Sequence, residues 1–91
     1  MTATARRAVV SGRVQGVGFR AFAHRAAIEA GVHGWVRNLP DGSVETCIEG
    51  EREAVERYLD RVRRGPLIGK VTSIAEEETA PQGFQKFEIT G

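Results

Sequence analysis

Residues 9–20 have the sequence Val9-Val10-Ser11-Gly12-Arg13-Val14-Gln15-Gly16-Val17-Gly18-Phe19-Arg20. The short valine-rich segment that ends at Ser11 predicts a β-strand, and three glycines punctuate the turn that follows it. From Phe19 onward the apolar residues recur at helical spacing instead. The stretch therefore predicts a strand, a glycine-bearing turn and the start of a helix, and the remaining segments are best explained as packing around this unit.

A turn of this kind favours the binding of an anion. Its consecutive backbone N–H groups point into one concavity, and the first N–H groups of the following helix have no intrahelical partner. The positive end of the helix dipole lies at the same place, and the planar guanidinium of Arg20 can bind two oxygens of a phosphate. The residues alone also allow an ordinary strand-to-helix turn that carries an exposed arginine.

Two motifs together resemble the signatures of the acylphosphatase family. The first is Gly-Arg-Val-Gln-Gly-Val-Gly-Phe-Arg at residues 12–20, and the second is Gly-Trp-Val-Arg-Asn-Leu-Pro-Asp-Gly-Ser-Val at residues 34–44, followed after five residues by Gly50. The ending Phe-Glu-Ile at residues 87–89 is similar to the last strand of that family, so the resemblance covers nearly the whole chain.

This resemblance implies an enzyme that hydrolyses the carboxyl–phosphate anhydride of acyl phosphates without a metal or other cofactor. It implies that Arg20 binds the phosphate and that Asn38 orients the attacking water, which makes these two the expected catalytic residues. Inorganic phosphate is then the expected product and inhibitor, while the sequence does not identify the physiological acyl group. The expected phosphate-binding residues are Val14, Gln15, Gly16, Val17, Gly18, Phe19 and Arg20.

Considered by itself, Asn38 fits two roles. Its side-chain amide can accept a hydrogen bond from a water and donate one to an oxygen, and so can hold a water in line with a bond to be broken. It precedes the turn Pro40-Asp41-Gly42, however, and asparagine at such a position commonly bonds its own backbone. The resemblance favours the first role.

The length of 91 residues predicts one small domain over residues 1–91, and residues 1–5, which precede the first predicted strand, are expected to be frayed. The net charge of +1, with acids and bases interspersed, predicts neither a nucleic-acid nor a membrane partner, and a cytoplasmic monomer is the expectation. Arg6-Arg7 is not followed by an apolar run of the length that an export signal needs. Cys47 is the single cysteine, and we expect it to be a buried or half-buried apolar residue rather than a nucleophile.

The order of predicted elements is β-α-β-β-α-β, an α+β, ferredoxin-like unit with two helices on one face of a mainly antiparallel sheet. The family resemblance adds a fifth strand at the edge. Gly31 is expected to cap the first helix and Gly65-Pro66 to end the second. The predicted strands are residues 6–11, 32–38, 43–49, 71–77 and 84–89, and the predicted helices begin at residues 19 and 51.

The apolar spacing also predicts which side chains are buried. In the third strand Val44 and Ile48 share a face with Thr46, so this face is expected to be core and Cys47 to point away from the helices. The apolar stripe of the first helix is predicted to comprise Phe19, Phe22, Ala23, Ala26, Ala27 and Ala30. That of the second helix is predicted to comprise Ala54, Val55, Tyr58, Leu59 and Val62.

Other candidate groups have simpler explanations. His24 and His33 belong to no matched functional position and are expected to be surface or boundary residues. The acidic run at residues 76–78 could bind a cation, but neighbouring residues of a strand point to opposite faces, which favours a solvated run of charge.

Two further classes of function share this topology. The same topology serves RNA-recognition domains, which stack bases on aromatic side chains, but residues 43–49 contain two glutamates and no aromatic residue. A ligand-binding module without turnover, like the acylphosphatase-like modules attached to larger enzymes, is also compatible with the fold. We expect an enzyme instead, because Arg20 and Asn38 are both present and no attached domain is seen in the sequence.

Overall fold

The computed structural model describes residues 3–91, which form five strands and two helices. No helix within that part of the chain is long and apolar enough to cross a membrane. The elements are, in order, β1 (Ala3–Arg13), α1 (Phe19–Ala30), β2 (His33–Asn38), β3 (Val44–Glu51), α2 (Arg52–Arg64), β4 (Lys70–Thr79) and β5 (Phe87–Ile89).

The five strands form one sheet in the order β4-β1-β3-β2-β5. All neighbouring strands are antiparallel except β2 and β5, which run parallel with Val36 opposite Ile89. This arrangement confirms the predicted α+β, ferredoxin-like fold and its fifth strand at the edge. Because β1 and β2 run in the same direction and α1 returns between them, the end of β1, the start of α1 and the end of β2 meet at one end of the sheet.

Both helices pack on the same face of this sheet. Their buried stripes join Ala8 and Val10 of β1, Val36 of β2, and Val44 and Ile48 of β3 in one apolar core. This agrees with the predicted stripes, with one exception. Phe22 is only half-buried and lies outside this core, at its margin, where the guanidinium of Arg61 lies over its ring at 5.4 Å from the centroid.

The first residues of the described chain correct one expectation. We expect residues 1–5 to be frayed, yet Ala3 to Ala5 belong to β1 and pair with the end of β3, and Ala5 is only 3% exposed. Ladder hydrogen bonds and burial hold this segment, so its backbone is not free to fray. Residues 1 and 2 lie outside the described residues.

The fifth strand is shorter than predicted. It was expected over residues 84–89 but covers only Phe87–Ile89. The carboxylate of Glu49 explains the difference, because it accepts the backbone N–H of Gln82 at 2.6 Å and that of Phe84 at 2.5 Å. Phe84 therefore bonds to a side chain of β3 rather than to the ladder of β2.

The sheet face that points away from the helices also contains buried residues. Glu45 is only 4% exposed, and its carboxylate accepts hydrogen bonds from Arg7 Nε at 2.5 Å and Arg37 Nε at 2.7 Å. The guanidinium of Arg37 in turn lies 5.0 Å from the ring centroid of Trp35. Cys47 is buried on this face, as expected, and burial raises the pKa of its thiol. The side chains of Arg7 and Arg37 thus cover Glu45 on the sheet face that lacks helices.

Candidate active site

The glycine-bearing segment between β1 and α1 forms a tight loop over residues 14–18. Gly16 and Gly18 have φ values of 75° and 78°, in the left-handed region that favours glycine. Gly18 is also the N-cap of α1, and no side chain in the described part of the chain caps the helix there. The first intrahelical bond runs from Phe22 N to Gly18 O at 2.9 Å, so the three N–H groups before it have no helical partner. This end of α1 therefore presents unpaired donors and the positive pole of its dipole.

Arg20 lies in the first turn of α1 and is half-buried. Its Nη1 donates a hydrogen bond to the backbone oxygen of Gly91, which follows β5. The side chain is therefore held at the same end of the sheet as the loop. Among residues 3–91 no other acceptor contacts the guanidinium, so its remaining N–H groups can donate to an anion.

Asn38 is the last residue of β2 and is half-buried. Its backbone N–H points to the backbone oxygen of Gly91 at 3.3 Å, the same oxygen that Arg20 contacts. The side-chain bonds that shape the following turn come from Asp41 instead, whose Oδ1 accepts Ser43 N at 2.9 Å and Ser43 Oγ at 2.5 Å. Asp41 therefore accepts the side-chain hydrogen bonds of this turn, a role that the sequence also allowed for Asn38.

The glycine-bearing loop, the start of α1 and the end of β2 line a cavity of about 320 Å³. Arg20 and Asn38, the two residues predicted to be catalytic, both lie in its wall. Its wall consists of Val14, Gly16, Gly18, Phe19, Arg20, Ala21, Asn38 and Ile89.

Two of the expected phosphate-binding residues have side chains that lie elsewhere. Val17 packs against the apolar core, and the side-chain amide of Gln15 donates to Leu39 O at 2.8 Å and Ser43 O at 2.9 Å. Either residue could contribute its backbone N–H to a bound anion, but neither lines the cavity with its side chain.

Two residues of the cavity wall were not singled out from the sequence. Ala21 follows Arg20 on α1, and Ile89 lies at the end of β5. Ile89 shares a face with the buried Phe87, and alternation along the strand could have indicated this. Unlike Phe87, Ile89 is 46% exposed, since it lies beside Val36 at the end of the sheet where α1 begins.

The carboxylate next to the site stays ionised. Hydrogen bonds from the Ser43 hydroxyl and then from the Ser43 backbone N–H lower the pKa of Asp41. Since these bonds shape the turn after Asn38, the ionised form of Asp41 supports the local geometry of the candidate site.

The histidines lie apart from the cavity, as expected. His24 packs edge-on against Phe87, with ring centroids 5.9 Å apart, and His33 Nδ1 lies 3.1 Å from Phe84 O. The acidic run is less solvated than expected, because Glu76 accepts two hydrogen bonds from Arg63, at 2.7 and 2.8 Å. Within residues 3–91, no three His, Cys, Asp or Glu side chains group as a metal site would require.

Known proteins with similar sequences and structures share this fold. The family model for acylphosphatase matches residues 6–89. The chain is 48% identical over 82 residues to a protein named acylphosphatase from Thermococcus kodakarensis, with 90% of each chain covered. It also superposes on the crystal structure of acylphosphatase from Bacillus subtilis with a TM-score of 0.93, at 38% identity over 97% of this chain and 99% of that one. These features define a class of small α+β proteins in which a glycine-rich loop precedes the first helix. The chain belongs to the acylphosphatase family.

A larger protein contains a similar unit. The structure of HypF from T. kodakarensis matches 97% of this chain with a TM-score of 0.84 and 33% identity, but the match covers only 12% of the HypF chain. The fold thus occurs both as a chain of this length and as a small part of a longer protein.

Proposed function

We propose that this protein is an acylphosphatase, which hydrolyses the carboxyl–phosphate anhydride of an acyl phosphate to a carboxylate and inorganic phosphate. The observation that carries the proposal is the cavity in which Arg20, Asn38 and the glycine loop meet. Family membership supports the same activity.

The loop and the start of α1 would bind the phosphoryl group. Backbone N–H groups from the loop and the first helical turn donate to its oxygens, and the helix dipole favours its negative charge. Arg20 adds a permanent charge and a planar pair of donors that match two phosphate oxygens. Because Arg20 Nη1 already bonds to Gly91 O, the fork is oriented before substrate arrives.

Asn38 would orient the attacking water. Its side-chain amide accepts a hydrogen bond from the water and can donate one to a phosphoryl oxygen, which places the water in line with the bond that breaks. The water oxygen forms the new bond to phosphorus, and the electron pair of the broken P–O bond leaves with the carboxylate. The two protons of the water end on the phosphate product and the solvent.

This reaction needs neither a nucleophilic side chain nor a strong general acid. Phosphoryl transfer depends mainly on positioning and on stabilising charge at the phosphoryl oxygens, and a carboxylate leaves without strong acid assistance. Arg20 and the backbone donors supply positive charge where the phosphoryl oxygens would lie. We therefore propose that neither a metal ion nor a covalent intermediate is required.

Release of phosphate from acetyl phosphate, measured with EDTA present, tests this function. We expect turnover to be unchanged by the chelator, and p-nitrophenyl phosphate, a phosphate monoester with a poorer leaving group, to be hydrolysed far more slowly. Activity that disappears in EDTA and returns with magnesium would contradict the metal-independent route. Equal activity on both substrates would contradict the assignment to acyl phosphates.

A further inference from the structure

We infer that Gln15 is a positioning residue that holds the hairpin carrying Asn38 in place against the phosphate-binding loop. The inference rests on the proposed function and concerns how the two halves of that site are kept in register. Gln15 belongs to the loop, but its side chain points to the turn after β2, where its amide nitrogen donates to Leu39 O at 2.8 Å and Ser43 O at 2.9 Å.

Both donors of this amide are used. A primary amide nitrogen carries two N–H groups, and the two backbone oxygens accept one each at ordinary hydrogen-bond lengths. Leu39 directly follows Asn38 in the chain, and Leu39 N donates to the same Ser43 O at 2.8 Å. The amide of Gln15 therefore joins the two carbonyls at the base of the turn, one residue from the side chain that is proposed to hold water.

The sheet alone does not make this connection. The loop extends β1, Asn38 ends β2, and β3 lies between these two strands. The phosphate-binding half and the water-binding half of the site thus belong to strands that are not neighbours. Gln15 provides a side-chain link of two hydrogen bonds between them.

A small shift between these halves has a large effect on rate. In-line attack requires the water to lie opposite the leaving group, and a displacement of about 1 Å can cost about 100-fold in rate. Loss of the Gln15 amide leaves the phosphate-binding donors in place but removes two hydrogen bonds that hold the hairpin carrying Asn38 against the loop. Gln15 should therefore influence kcat through Asn38 rather than the affinity for phosphate.

A double-mutant cycle tests this route. Gln15→Met keeps the length of the side chain and removes both donors, and it should lower kcat for acetyl phosphate by about 10- to 100-fold. Gln15→Glu, which places a carboxylate against two carbonyl oxygens, should lose at least as much. In an Asn38→Ala background, the same Gln15→Met change should alter kcat less than about twofold, because the group through which it acts is gone.

The readouts separate positioning from stability. The dissociation constant for inorganic phosphate, measured by calorimetry, should change less than about threefold in Gln15→Met. Gln85→Met makes the same chemical change at an exposed residue whose amide contacts Gly83 O, and it should leave kcat unaltered. Should Gln15→Met not fold, Gln15→Asn keeps the amide but is one methylene too short to reach both carbonyls, and the same cycle applies.

Two results would overturn the inference. One is an equal kcat loss from Gln15→Met with and without Asn38; the other is a loss of phosphate affinity that parallels the loss of kcat. If the unmutated protein does not hydrolyse acetyl phosphate at all, the proposed function fails instead. The two failures are therefore distinct.

Discussion

The guanidinium of Arg20 donates a hydrogen bond to the backbone oxygen of Gly91, and that oxygen also faces the backbone N–H of Asn38 at 3.3 Å. A single acceptor beyond β5 thus contacts both residues that the sequence singled out. Thr90 N holds this segment to β2 through a 2.9 Å bond to Val36 O. The segment that follows β5 therefore brings an oxygen to the candidate site that contacts both residues.

Removing that oxygen should weaken phosphate binding. A chain ending at Thr90 keeps the Thr90–Val36 bond but loses Gly91, so Arg20 must be ordered by the ligand instead. A typical hydrogen bond contributes about 0.5–1.5 kcal/mol, which corresponds to roughly 2- to 13-fold in affinity. Calorimetry with inorganic phosphate measures the change, and an unaltered dissociation constant would show that Gly91 does not orient Arg20.

Replacing Arg20 should affect both binding and turnover. Arg20→Ala removes the charge and the planar donors from the proposed phosphate site, so phosphate affinity should fall by 10-fold or more, on the order of 1.5–3 kcal/mol, and turnover should be lost. Arg20→Lys should rescue poorly, because a compact ammonium cannot replace a planar fork. Arg25→Ala, at an exposed position of the same helix, is the matched control. Full activity in Arg20→Lys would argue that only charge matters.

Inorganic phosphate should compete with substrate. A site that binds the phosphoryl group through loop amides and Arg20 should also bind free phosphate or sulfate, whichever acyl group is used. Initial rates at several phosphate concentrations should therefore show a rising KM at constant kcat. Noncompetitive inhibition, or none at high phosphate, would place the reaction outside the Gly16–Arg20 loop.

The buried carboxylate of Glu45 predicts how stability depends on pH. Burial raises the pKa of Glu45, but the hydrogen bonds from Arg37 and Arg7 outweigh this, and the net pKa lies below its ordinary value of 4.5. A carboxyl whose pKa is lower in the folded state stabilises the fold fully above pH 4.5, and this contribution is lost as the pH falls through the folded-state pKa.

Glu45→Gln should therefore lower the free energy of unfolding at pH 7 by about 1.5–3 kcal/mol. The difference from the unmutated protein should shrink as the pH falls below 4.5. Urea unfolding at several pH values measures both effects, with Glu78→Gln at an exposed position of β4 as the control. A difference that stays constant from pH 7 to the acid range would contradict the role of the ionised carboxylate.

The sequence predicts the fold well where the residues of one helix or strand are enough to identify its ends or its buried face. The glycine loop and the Gly31 cap define the two ends of α1, and alternation along β3 identifies its core face. The same patterns place Arg20 and Asn38 at ends of elements that the topology then brings together. Their catalytic roles stay predictions that the experiments must decide.

Apart from residues 3–5, which strand pairing orders, the differences arise where a side chain distant in sequence supplies a contact. Glu49 of β3 captures the backbone of Gln82 and Phe84, which shortens β5, and Arg61 covers Phe22. Gln15 likewise turns away from the cavity to bond a hairpin more than twenty residues away in sequence. None of these pairings has a periodicity, so no pattern within a single element could predict them.

The most direct test of the proposed mechanism is the behaviour of Asn38→Ala. Because Asn38 is proposed to contact the water and Arg20 the phosphate, phosphate affinity should be nearly intact in this variant, while kcat and kcat/KM fall together by roughly 100- to 1,000-fold or more. The fold should be retained, since Asn38 lies at the edge of the cavity and not in the apolar core. Calorimetry with phosphate beside steady-state hydrolysis of acetyl phosphate makes the comparison. Intact affinity with lost turnover is the predicted result, and normal turnover in the folded variant would contradict the role of Asn38.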